Sequence, residues 1–81
     1  MRFKLTPQAK QYLLSLDKET INRIYHALRK MTATPPIGDI KKLQGNDELF
    51  RLRVGGLRIL FEVIDDNAVI YKISPRGQAY K

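Results

Sequence analysis

Leu49-Phe50-Arg51-Leu52-Arg53-Val54-Gly55-Gly56-Leu57-Arg58-Ile59-Leu60-Phe61-Glu62-Val63-Ile64 is the stretch that decides the fold. Its period is two, the spacing of a half-buried strand, and Gly55-Gly56 interrupts it where a tight turn needs positive φ. If those glycines are a two-residue hairpin turn, Val54 faces Leu57, Arg53 faces Arg58 and Arg51 faces Leu60. Phe50, Leu52 and Val54 then share one face with Leu57, Ile59, Phe61 and Val63, which leaves the arginines on the other.

Working forward, Ala68 to Ser74 alternates again and reads as a third strand of the meander. A three-residue loop at Asp65-Asp66-Asn67, with Asn67 left-handed, would place Val69, Tyr71 and Ile73 on the apolar face. Lys72 and Ser74 would then join the arginines, and Arg76 would lie beside Gly56.

Working backward, Thr34-Pro35-Pro36-Ile37-Gly38 breaks a helix, since paired prolines remove donors and disfavour helix before them. A loop with no sustained period follows, holding Asp39 to Glu48, with Leu43 as its expected anchor. Upstream, Ile21, Ile24, Tyr25, Leu28 and Met31 form a helical stripe begun by Asp17 as cap, with basic residues on the outer face. Ala9, Tyr12, Leu13 and Leu16 form the stripe of an earlier helix capped by Thr6 with Pro7 at its first position. Arg2 to Leu5 reads as a short first strand.

These elements predict an α+β fold of order β-α-α-β-β-β, with a helical hairpin packed on one face of an antiparallel sheet. With 81 residues, the chain forms one domain, residues 1–81, and any site must be built on that single small core.

The absence of cysteine removes disulfides and thiolate metal sites, and His26 alone cannot assemble a metal centre. Neither metal nor cofactor is expected. No apolar run approaches the roughly 18 residues a bilayer requires, so no membrane association is expected and the cytoplasm is the expected location. Fifteen Lys and Arg against eight Asp and Glu give a net charge of +7, which favours an acidic partner.

Arg51, Arg53, Arg58 and Arg76 should converge at one end of the outer sheet face, with Glu62 the sole acid there. Like charges directly opposed weaken a sheet, so the arrangement is easier to understand if an anion binds, and phosphate matches guanidinium geometry. The competing explanation is that long arginines splay into water. Tyr80, four residues past Arg76, could offer a ring for stacking or a hydroxyl that handles a proton. His26 reads as an ordinary helix-surface residue, Gly55-Gly56 as a turn, and Asp65-Asp66 as a turn rather than a metal site.

Lys42-Leu43-Gln44-Gly45, the Leu49 to Val63 hairpin, and Ile73-Ser74-Pro75-Arg76-Gly77-Gln78-Ala79-Tyr80 resemble the RelE and ParE toxin superfamily over essentially the whole chain. The resemblance implies a toxin of a type II toxin-antitoxin pair, neutralised by an acidic antitoxin protein. For a RelE-like member it implies ribosome-dependent cleavage of messenger RNA in the A site, by attack of a ribose 2′-hydroxyl on the adjacent phosphate without a cofactor. By position, Arg51, Arg53, Arg58, Arg76 and Tyr80 correspond to the family's catalytic set. Arg51 and Arg53 stand where such toxins often carry lysine, and Pro75 stands near a position where many carry histidine. Arginine, with a pKa above about 12, is a poor general base, so the resemblance leaves the acid and base open. A ParE-like inhibitor of DNA gyrase, and a member that binds antitoxin or RNA without cleaving, are the alternative functions.

Overall fold

The computed structural model describes residues 1–43, 45 and 48–75. The chain runs β1 (Arg2–Leu5), α1 (Pro7–Leu14), α2 (Lys18–Met31), β2 (Asp39–Lys42), β3 (Leu49–Val54), β4 (Leu57–Ile64) and β5 (Asn67–Pro75). The strands form one five-stranded sheet in the order β1-β5-β4-β3-β2. All pairs are antiparallel except β1 with β5, which is parallel.

Both helices start where the sequence places their caps. The Thr6 hydroxyl accepts from the Ala9 backbone N–H at 3.2 Å, and Pro7 occupies the first turn, where its missing donor costs nothing. The Asp17 carboxylate accepts from the Thr20 N–H at 3.3 Å. The predicted stripes face the sheet: Ala9 and Leu13 from α1 and Ile24, Leu28 and Met31 from α2 are buried. Tyr12, Leu16, Ile21 and Tyr25 border them, half-buried. Their partners are Leu52, Val54, Ile59, Phe61, Ala68, Ile70 and Ile73, and the rings of Phe50 and Phe61 stack at 5.5 Å.

The β3–β4 register is the one the glycine turn dictates: Val54 opposite Leu57, Arg53 opposite Arg58, Arg51 opposite Leu60. Gly55 carries the positive φ, 57°, at the first central position, as a type II′ turn requires.

Two expectations fail. The segment expected as a loop from Asp39 contains β2, which pairs with β3 through Asp39–Arg53, Ile40–Leu52 and Lys41–Arg51. The expected three-strand meander therefore gains β2 as an unforeseen edge, while the expected first strand, β1, forms the other edge beside β5. Ile40 reaches the core, whereas the expected anchor Leu43 is half-buried and holds by its backbone N–H on the Leu49 carbonyl at 2.8 Å.

The second correction concerns β5. Asp65 and Asp66, with φ of 49° and 62°, make a two-residue turn, so Asn67 opens the strand opposite Ile64. Consecutive positive φ values are the type I′ pattern, whose twist suits the flanking strands. Ala68 and Ile70, not Val69 and Tyr71, enter the core. A bulge between Leu60 and Phe61 then shifts the register by one residue. Beyond it Ile73 is in the core, with Lys72 opposite Leu60 and Ser74 opposite Arg58.

A candidate anion-binding face on the sheet

The face turned away from the helices follows from the pairing. Residues opposite one another share a face, so Asp39 and Lys41 of β2, Arg51 and Arg53 of β3, Arg58, Leu60 and Glu62 of β4, and Lys72 and Ser74 of β5 lie together. Lys4 of β1 joins them through Val69. Cations predominate, and two of them, Arg53 and Arg58, stand directly across from each other.

The arginines do not splay into water. Arg51 and Arg58 retain only 7% and 6% of their exposure, and Arg53 is half-buried. Arg51 Nη1 donates to the Asp39 carbonyl at 3.0 Å and to Asp39 Oδ1 at 3.1 Å. Arg53 Nη1 lies 3.8 Å from Asp39 Oδ2. The hydrogen bond from Arg51 is the main reason that the Asp39 carboxyl titrates below its ordinary value; desolvation opposes it, and the charges of Arg51, Arg53 and Lys41 add to the lowering. Glu62 is thus joined by a second acid, which the sequence reading missed because it placed Asp39 in a loop. The signal was the polar-apolar-polar order Asp39-Ile40-Lys41 directly after Gly38, with a single core residue to carry it.

Arg53 Nε and the Ser74 hydroxyl oxygen are buried without hydrogen-bond partners. Buried polar atoms are ordinarily satisfied, so two such atoms on this one face leave bonding capacity that an outside group can take up. Near its far side, burial first and the charge of Glu62 second push the Tyr71 hydroxyl above its ordinary pKa. A groove of about 490 Å³ runs beside β5 and α1, lined by Gln8, Gln11, Tyr12, Tyr71 and Ser74 among others.

Of the five residues singled out by sequence, Arg51, Arg53 and Arg58 come together on this face; Arg76 and Tyr80 lie outside the described residues. His26 is exposed on α2.

A family profile described as "ParE toxin of type II toxin-antitoxin system, parDE" matches residues 3–80. This chain belongs to that family. A chain in the crystal structure of the archaeal RelE-RelB complex from Pyrococcus horikoshii is similar to it at 30% identity, with a TM-score of 0.80, covering 95% of this chain and 96% of that one. The isolated Escherichia coli RelE toxin shares the fold, with a TM-score of 0.77 at 18% identity over 98% and 89% of the two chains. A Methanocaldococcus jannaschii protein named "Putative toxin RelE1" is 47% identical over 45 residues, 53% of this chain and 50% of that protein, so the match spans half the length of that curated relative. Within the superfamily, the α+β architecture of two helices on a mostly antiparallel sheet is therefore the RelE one. Among the described residues, no helix is long and apolar enough to cross a membrane.

Proposed function

We propose that this member of the ParE toxin family is a cytoplasmic toxin that cleaves messenger RNA in the ribosomal A site, a cofactor-independent endoribonuclease held in check by an acidic antitoxin. The observation that carries the reading is the opposed pair Arg53 and Arg58, on a face where Arg53 Nε and the Ser74 hydroxyl lack partners. Such a face is costly to a protein that binds nothing there, and a phosphate supplies both the charge and the acceptors.

In the proposed reaction the ribose 2′-oxygen attacks the adjacent phosphorus as the bond to the 5′-oxygen breaks, leaving a cyclic phosphate and a 5′-hydroxyl. Charge builds on the non-bridging oxygens, where preorganised guanidinium groups stabilise it. Arg53 and Arg58 take that role, and Arg76 is the further arginine that the family motif offers for it. The 2′-hydroxyl proton must leave and the 5′-oxygen must gain one; arginine suits neither transfer well. Tyr80 is the family-motif residue offered for proton handling.

The match to the ParE profile favours a second reading, a protein that inhibits gyrase and cuts no RNA. Purified protein added to programmed ribosomes, with primer extension along the messenger, separates the two. Cuts at A-site codons, reduced about 100- to 1000-fold by R58A as loss of one oxyanion-stabilising group would do, support the nuclease. An intact messenger with inhibited supercoiling supports the ParE activity instead.

A further inference from the structure

Not every arginine on this face is available to a ligand, and the difference is set from the neighbouring edge strand. Arg51 has both a side-chain and a backbone acceptor on one residue, Asp39, at 3.1 and 3.0 Å, and its side chain is 8% exposed. Arg53, two residues along the same strand, is 3.8 Å from the other carboxylate oxygen, and its side chain is 30% exposed. The Arg53 Nε has no partner. One carboxylate thus engages Arg51 through a hydrogen bond and Arg53 only at long range.

We infer that Asp39 is a positioning residue: it holds Arg51 flat against β2, so that Arg51 shapes the face without touching the bound phosphates, and it leaves Arg53 as the β3 guanidinium that does. This rests on the reading that the face binds RNA. The chemistry supports the division. A bidentate arginine-phosphate contact needs free N–H groups in one plane, and Arg51 has committed Nη1 to two acceptors, which removes its end-on Nη1–Nη2 fork and leaves only the Nε–Nη2 edge. Its charge remains, partly cancelled by the carboxylate beside it.

The test uses the slope of log affinity against log salt for a short single-stranded RNA carrying 2′-O-methyl groups, which binds but cannot be cut by 2′-attack. Each phosphate contact contributes about 0.7 to that slope. D39N and D39A remove the same negative charge, but only D39N keeps a side-chain acceptor for Arg51. The expected pattern is a wild-type slope in D39N and R51A, a slope steeper by about 0.7 in D39A as the released Arg51 finds a phosphate, and one shallower by about 0.7 in R53A. Equal slopes in D39N and D39A, or a loss in R51A matching that in R53A, overturn the positioning role. Failure of the wild-type protein to bind the RNA overturns the nucleic-acid reading of the face, and the role with it. The carboxyl-carbon NMR titration of Asp39 without RNA distinguishes that failure from a missing pin. A midpoint that rises in R51A shows Arg51 held by Asp39, with Arg53 and Lys41 the remaining charges beside it; an unchanged midpoint removes the pin whatever the RNA does.

Discussion

Replacing Arg53 with methionine should make the protein more stable while weakening its proposed site. Arg53 faces Arg58 across the hairpin, a like-charge pair that costs some part of the ~0.2–1 kcal/mol typical of cross-strand contacts. Its Nε is buried without a partner, and an unsatisfied buried donor costs about 1–3 kcal/mol. R53M removes both and keeps an unbranched apolar stem over the sheet. It gives up only the 3.8 Å approach to the half-exposed Asp39, a surface ion pair of small worth. The net gain is about 2 kcal/mol, which for a domain of this size raises Tm by roughly 8–16 °C. Thermal unfolding followed by circular dichroism at about 0.05 M and 1 M salt checks it. Repulsion is screened within about 3 Å at 1 M, so the advantage of R53M should shrink with salt but persist through the donor it removes. R53K, which keeps the charge but has a methylene where arginine has Nε, should retain the part of the gain due to the donor and lose only the part due to repulsion. A lower Tm for R53M than for the wild type at low salt would refute the argument that this face is held under strain.

Other perturbations test the frame around the site. T6A removes the acceptor of the Ala9 N–H and should cost about 1 kcal/mol, read as a Tm lowered by roughly 4–8 °C. G38A places a side chain at φ +144° with its Cβ 3.0 Å from Leu52 Cδ1, so it should destabilise by about 1–3 kcal/mol in denaturant titration. Because Asp39 titrates below its ordinary value of 3.8 in the folded protein, its contribution is complete above that value and is lost as pH falls through the folded value. D39N should therefore flatten the acid limb of a Tm-against-pH curve. Tyr71 is displaced upward from 10.0, so its contribution is complete below that value and lost as pH rises through the folded one, and Y71F should flatten the alkaline limb.

Reading the sequence alone reaches the helices and the β3–β4 hairpin, because both rest on local signals: Thr6 and Asp17 as caps, stripes at helical spacing, and a glycine turn that leaves one register open. It fails where the decisive information is not local. Strand β2 offers one core residue, Ile40, among polar neighbours, and its identity as a strand comes from the edge of β3 lying beside it. In β5 a two-residue turn and a bulge together restore the count that a three-residue turn would have given, so Ile73, Lys72 and Ser74 were placed correctly while the four residues before them hold a different pattern. Within the site, that Arg51, Arg53 and Arg58 share a face was legible; that Asp39 sits among them was not, since it depends on the pairing of β2.

The strand order carries one more consequence, for the timing of synthesis. Strand β5 follows every other described element in sequence, yet it lies inside the sheet between β1 and β4. A nascent chain can close the β2–β3–β4 ladder as it leaves the exit tunnel, but β1 and the helix α1 beside it wait for a partner that is made last. Contacts of such long sequence separation close slowly. The arginine hairpin is therefore assembled before the platform that rigidifies it, and the interval between the two is a window in which a chaperone or binding partner can capture the protein half-built.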